Sequence, residues 1–234
     1  MNPLMRTFSL LLPLVALLLA PFPRSFADEA PLTGFAKWEK EITAFERGDS
    51  ENPPPKHAIV FVGSSSIRKW TTVAQDFPHH QVINRGFGGS QMSDAAHFAD
   101  RIVTKYEPRF IVVYSGGNDI NAKKTAEQVF ASVKEFVANV RAKQPDVPIA
   151  FISIAGNPAR WAQVEEVKKA NALIEGYTKE QPNLKFIDVF HDMLGSDGLP
   201  RPEIFVADKL HMNPEGYKIW TQIVGRYLPE PDVK

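Results

Sequence analysis

Apolar residues in this chain gather into five short unbroken runs, separated by stretches in which apolar and polar positions alternate at helical spacing. The runs are residues 57–63 (HAIVFVG), 81–87 (QVINRGF), 109–116 (RFIVVYSG), 148–154 (PIAFISI) and 184–190 (LKFIDVF). Continuous β-branched runs of this length suit strands buried on both faces of a parallel sheet. From Thr125 onward, Val129, Phe130, Val133, Phe136, Val137 and Val140 share a helical face, as do Trp161, Val164, Ile174 and Tyr177 after Ala159. Strands that alternate with helices pair through right-handed crossovers. The pattern therefore predicts an α/β fold, a flavodoxin-like three-layer α/β/α sandwich of about five parallel strands with helices on both faces. In such a sheet the site lies beyond the carboxyl ends of the strands.

Elements outside this core follow the same logic. Phe35, Trp38, Ile42 and Phe45 predict an amphipathic helix lying over the body, and Gly48 to Lys56, with three consecutive prolines, predicts a stiff connector. Near the end, Asn213 can cap a helix whose first turn holds Pro214. Its inner face would carry Tyr217, Trp220, Val224, Tyr227 and Leu228. Residues 1–27 read as a secretory signal, with Arg6, an apolar stretch from Phe8 to Phe22, and Ser25-Phe26-Ala27 as the cleavage context. Pro13 and Pro21 interrupt that stretch and argue against a lasting membrane anchor. The expectation is a secreted or periplasmic protein, with one domain over residues 28–234 that includes the helix and connector of 28–56.

Composition narrows the chemistry. Lys+Arg and Asp+Glu each number 27, so the chain carries no basic footprint for nucleic acid or an anionic membrane. There is no cysteine, which excludes a disulfide framework, a thiolate nucleophile and a zinc-thiolate site. His57, His79, His80, His97 and His191 lack metal-ligand spacing and are expected in surface or structural roles; no metal or cofactor is expected. Trp70, Phe87 and Trp161 are open to two readings, as core or as the lining of a pocket.

Four blocks carry candidate chemistry. In Asp208-Lys209-Leu210-His211, an Asp and a His three residues apart in a turn share one side of the backbone. The carboxylate can then hold one ring nitrogen and leave the other as a base. Gly63-Ser64-Ser65-Ser66 breaks a buried strand into a serine cluster that opens a helix, which suits either a nucleophile or a simple cap. Asn84-Arg85-Gly86-Phe87-Gly88-Gly89-Ser90 offers glycines for close backbone approach or for tight turns. Tyr114-Ser115-Gly116-Gly117-Asn118-Asp119 places at a strand end an asparagine that can donate to an oxyanion or satisfy a loop carbonyl.

Taken in order, Gly63-Ser64-Ser65, Gly89, Gly116-Gly117-Asn118-Asp119 and Asp208-Lys209-Leu210-His211 resemble the signature blocks of the SGNH, or GDSL-type, esterase/lipase superfamily. The resemblance spans nearly all of the chain after the signal. It implies Ser65 as nucleophile with Asp208 and His211 completing a triad, and an oxyanion hole made by the amides of Ser65 and Gly89 and the side chain of Asn118. Ser64 stands where the family usually has Asp, which leaves Ser64 and Ser66 as rival nucleophiles. The implied function is a secreted, metal-independent serine esterase acting on small esters or O-acetylated glycans. Lysophospholipids and platelet-activating-factor-like lipids are the alternative substrates within the enzyme class. A non-catalytic small-ligand or carbohydrate-binding module on the same frame is the competing reading. A phosphate or nucleotide binder fits poorly, because Gly86 to Gly89 matches neither a Walker loop nor a dinucleotide fingerprint. The Gly-, Pro- and Asp-containing segment 195–207 is a candidate lid.

Overall fold

The computed structural model describes residues 33–231. The expected signal segment, residues 1–27, lies outside them. The five apolar runs form five strands, β1 (Ile59–Gly63), β2 (Val82–Gly86), β3 (Phe110–Tyr114), β4 (Ile149–Ile152) and β5 (Leu184–Ile187). They pair in the order β2-β1-β3-β4-β5, and every pairing is parallel. This is the flavodoxin-like order, in which the direction of winding reverses between β1 and β3.

Alternation along the strands divides the core into two layers. Val60 and Val62 of β1, with Ile111 and Val113 of β3, face a cluster shared with α1 (Glu39–Glu51), α4 (Met92–His97), α5 (Ala99–Ile102), α7 (Ala126–Arg141) and part of α8 (Val164–Glu180). Ile59 and Phe61, with Phe110, Val112 and Tyr114, face the opposite cluster. That layer is built from α2 (Ser65–Lys69), α3 (Val73–Asp76) and α9 (Pro214–Val224). A further short helix, α6 (Gly117–Asn121), sits beyond the end of β3. Trp70, Phe77, Tyr217 and Trp220 pack edge-on and stacked at centroid separations of 5.5 to 6.3 Å, which locks α9 against the end of α2.

Several boundaries differ from the sequence reading. Phe35 and Trp38 belong to a 3₁₀ segment, Gly34–Trp38, and the helix proper begins at Glu39. It runs through Gly48 to Glu51, so the connector is shorter than expected. The reason lies in its last turn. Asp49 accepts from Lys105 Nζ at 2.8 Å and pairs with Arg85 and the Tyr106 hydroxyl, so the body holds the helix beyond the glycine. Arg101 adds a second tie, reaching Glu46 at 2.7 Å and Glu39 at 2.8 Å. Around Ala159 the chain first makes a 3₁₀ segment, Pro158–Gln163, and the long helix begins only at Val164. The last helix is capped as expected, with Asn213 Oδ1 accepting from Glu215 N and Gly216 N. It ends at Val224, while Tyr227 and Leu228 still pack on the core from the turn beyond it.

Segment 195–207 is pinned by its own bonds. Leu194 and Pro200 bridge antiparallel, as do Phe205 and Met212, and Asn213 Nδ2 donates to Glu203 O at 2.7 Å. Ile204 within it is fully buried.

The Asp49 anchor gives a test of how α1 is held. Burial pushes the Asp49 carboxyl up, but the hydrogen bonds from Lys105 and Tyr106 and the Arg85 charge outweigh it, leaving the group below its usual 3.8. A depressed folded-state value stabilises the fold above the unfolded pKa, and that stability is lost as pH falls through the folded value. Asp49→Ala is expected to cost about 2 kcal/mol in urea denaturation at pH 7. The gap from wild type should narrow as the pH is taken below 3.8.

Candidate active site

Three paired residues shape the floor of the site. Gly63, the last residue of β1, is in register with Gly86 of β2 and Tyr114 of β3. At φ +147° it adopts a conformation that L side chains avoid, and a Cβ there would fall 1.9 Å from the Tyr114 carbonyl oxygen. That close approach lets Ser64 N donate to Tyr114 O at 3.1 Å as the chain turns into α2. Ser64 is the residue preceding α2 and is buried, whereas Ser65 is half-exposed.

Ser65 meets the Asp/His turn across 146 residues of sequence. Its Oγ lies 2.9 Å from His211 Nε2, and His211 Nδ1 lies 2.6 Å from Asp208 Oδ2. Asp208 Oδ1 accepts from the backbone amides of Leu210 and His211, each at 2.9 Å. The hydrogen bond to the His211 ring, followed by the two amides, holds the Asp208 carboxyl far below its usual 3.8. The turn is stiff because Lys209 sits at φ +57°, rare for a non-glycine residue. Around it, Val206 N donates to His211 O and Lys209 N donates to Val206 O, both at 2.9 Å. Of the three serines, only Ser65 has this histidine contact: Ser64 leads into the helix, and the Ser66 carbonyl accepts from Tyr217 Oη at 2.8 Å.

Gly89 and Asn118 arrive from the ends of β2 and β3. Gly89 has φ +86°, and Asn118 Nδ2 donates to the carbonyl of the next residue, Ser90, at 2.9 Å. Beside it, buried Asp119 accepts from Met92 N at 2.9 Å and from Lys124 Nζ at 3.0 Å, and Lys124 also reaches Ser93 Oγ. Burial raises the Asp119 carboxyl, against the pull of the Met92 amide and Lys124. The neighbouring residues Asn118 and Asp119 therefore hold the Ser90–Ser93 segment at both ends.

Two contributors escaped the sequence reading. Arg160 Nη1 donates to Asn118 Oδ1 at 3.0 Å and to Gly117 O at 3.1 Å. Ala159 N donates to Lys209 O at 3.1 Å, so the same 3₁₀ segment touches the Asp/His turn. Asn157-Pro158, a cap followed by a proline just past β4, was the available signal for a turn at the sheet's carboxyl edge. These residues enclose a narrow cavity of about 40 Å³ lined by Ser65, Tyr114, Asn118, Arg160 and Trp161 among others. Trp161 is thus in the pocket, while Trp70 and Phe87 are core. His191 pairs with Asp188 on the surface and His97 stacks on Phe35, away from the Ser65 contact. Among the described residues, no group of three or more His, Cys, Asp or Glu is placed to hold a metal, and no helix is long and apolar enough to cross a membrane.

Residues 47–219 match the model of the GDSL-like lipase/acylhydrolase family, a span that holds every block described above. The chain belongs to this family. Its fold is shared with solved GDSL-family and related hydrolases. A protein from Streptococcus pneumonia whose name refers to platelet activating factor superposes with a TM-score of 0.73 at 19% identity, covering 82% of this chain and 94% of its own. A GDSL-like lipase from Bacteroides thetaiotaomicron gives 0.68 at 18% identity, over 80% of this chain and 96% of its own. A carbohydrate esterase family 3 protein from Talaromyces cellulolyticus gives 0.55 at 18% identity, over 72% and 94%. Among curated protein sequences, none matches this chain. The family resemblance read from the four blocks and the flavodoxin-like sheet are both borne out.

The Gly63 contact is open to direct test. Gly63→Ala is expected to lower stability by about 3 kcal/mol, because the new methyl must displace either the β3 carbonyl or the turn into α2. Thermal unfolding followed by circular dichroism reads that loss.

Proposed function

We propose that this GDSL-family protein is a serine esterase that hydrolyses carboxylic esters of short acyl groups, acetyl foremost. The observation that carries the reading is the unbroken chain of contacts from Ser65 Oγ through both nitrogens of His211 to Asp208. In this reading His211 Nε2 takes the Ser65 proton as Oγ attacks the acyl carbon. Asp208 fixes the imidazole tautomer and stabilises the imidazolium, and its strongly depressed pKa keeps it ionised throughout. The amides of Ser65 and Gly89 and the Asn118 side chain receive the negative charge on the former carbonyl oxygen. Collapse breaks the ester bond, and His211 returns its proton to the departing alcohol. Water, deprotonated by His211, then attacks the acyl-enzyme and releases the acid with Ser65 restored.

Cavity size supports the choice of acyl group. A void of about 40 Å³ exceeds what one water needs, and it is far below the 300 to 1,000 Å³, roughly, of pockets that enclose larger ligands. Met212 lines both this void and a broader, open groove of about 530 Å³ along the start of α9, where Thr71, Asp76 and Lys218 give polar walls. A small acyl group in the void and a hydroxyl-rich alcohol such as a sugar in the groove match this division better than a long-chain lipid does. An export signal over residues 1–27 would place the enzyme outside the cytoplasm, where acetylated glycans are met.

Ser65→Ala is expected to lower kcat for p-nitrophenyl acetate by about 10⁴-fold or more, and Asp208→Asn by about 10³-fold to 10⁴-fold. Ser66→Ala should retain turnover, and chelators should have no effect because protein groups carry every step. Intact-mass spectrometry after a fluorophosphonate probe should show a single adduct on Ser65; an unlabelled, inactive but folded protein would favour the binding module instead. Turnover should fall from acetate to butyrate, and equal rates on both would refute the small acyl pocket.

A further inference from the structure

We infer that Arg160 is the positioning residue that fixes which way the Asn118 amide points and holds a positive charge beside the oxyanion that Asn118 would bind. The inference rests on the esterase reading above and adds to it a residue outside the four signature blocks.

The hydrogen bonds around Asn118 admit one orientation of its amide. Arg160 Nη1 donates to Asn118 Oδ1 at 3.0 Å, and Asn118 Nδ2 donates to Ser90 O at 2.9 Å. Turned over, the amide would set its NH₂ against the guanidinium and its oxygen against the Ser90 carbonyl, and both contacts would repel. The amide nitrogen carries two hydrogens, of which Ser90 O takes one. The other remains for the substrate oxygen. An amide whose oxygen accepts from a cation is also the stronger donor at nitrogen, because hydrogen bonds in series polarise one another.

The placing and charge of Arg160 fit this role. Its backbone is held by Asn157 Oδ1, which accepts from Arg160 N at 3.0 Å, and by the adjoining bond from Ala159 N to Lys209 O at 3.1 Å. The side chain is half-buried in the wall of the cavity that holds Ser65. No Asp or Glu among the described residues pairs with it; its acceptors are the neutral oxygens of Gly117 and Asn118. Burial accordingly lowers its pKa. A cation without a counter-anion costs free energy in the resting protein, and that cost is relieved as negative charge develops on the acyl oxygen. Such a group favours the transition state over the bound ester, so it acts on kcat and leaves KM nearly alone.

A double-mutant cycle tests this with p-nitrophenyl acetate, using Arg160→Gln, Asn118→Ala and the pair, with Arg160→Lys as the conservative variant. Arg160→Gln is expected to lower kcat by about 10-fold to 100-fold with KM within about threefold, and the fluorophosphonate labelling rate should fall in parallel. In the Asn118→Ala background the same substitution should cost clearly less than in wild type, since the amide it orients is gone and only its charge remains. Arg160→Lys should recover part of the loss, and because it keeps the charge it carries the cycle if Arg160→Gln fails to fold. An unchanged kcat, an effect confined to KM, or the same factor in both backgrounds would overturn the inference while leaving the esterase intact. If Asn118→Ala leaves kcat unchanged, the oxyanion role of Asn118 fails and that of Arg160 falls with it while the esterase stands; if wild type is not labelled at Ser65, the esterase reading itself fails.

Discussion

The site depends on two glycines facing each other across β1 and β2. Gly63 and Gly86 are register partners, and neither position has room for a side chain. A Cβ on the first would meet the Tyr114 carbonyl at 1.9 Å, and one on the second would meet Arg68 N of α2 at 2.1 Å. Without those two side chains α2 settles directly onto the strand ends, and its first residue, Ser65, comes within hydrogen-bonding reach of a histidine from the far end of the chain. The aromatic pack of Trp70, Tyr217 and Trp220 then holds α2 and α9 together, so the histidine turn just before α9 is carried to the same place. Backbone proximity at two residues thus sets the distance on which the proposed chemistry rests.

Much of the fold was legible because buried parallel strands leave an unmistakable mark. Runs such as Ile59 to Val62 and Phe110 to Val113 have no polar interruption, and helices as long as α7 and α8 show their periodicity over several turns. The short helices α2 to α6 were largely silent, since four to six residues are too few to display a helical period. Gly48 misled for a different reason: its local preference for a break is overridden by the ion pairs that Asp49 makes with strand β2 and the segment after α5.

Within the site, legibility followed sequence distance. Asp208 and His211 are three residues apart, so their pairing is a local property of one turn and could be read directly. Choosing Ser65 among three adjacent serines needs a partner 146 residues away, which spacing cannot supply and family likeness could. Asn118 fills one of the two roles between which the sequence left a choice, since one hydrogen of its amide satisfies a loop carbonyl; in the proposed function the other hydrogen serves the oxyanion. Arg160 went unseen because nothing in the sequence tells an arginine turned toward a neutral amide from the many turned toward solvent.

The tip at Asp197-Gly198 has a practical consequence for anyone wishing to decorate this molecule. Gly198 turns at φ +75°, its amide bonding back to Gly195 O, and the Leu194–Pro200 bridge closes the loop beneath it. Ile204 and Phe205, which reach the interior, lie on the far side of that closure. Extra chain spliced between 197 and 198 would extend into solvent from a clamped base, at little entropic cost and without tugging on the histidine turn. That makes the tip a natural attachment point for an affinity tag, a fluorophore peptide or a second binding domain.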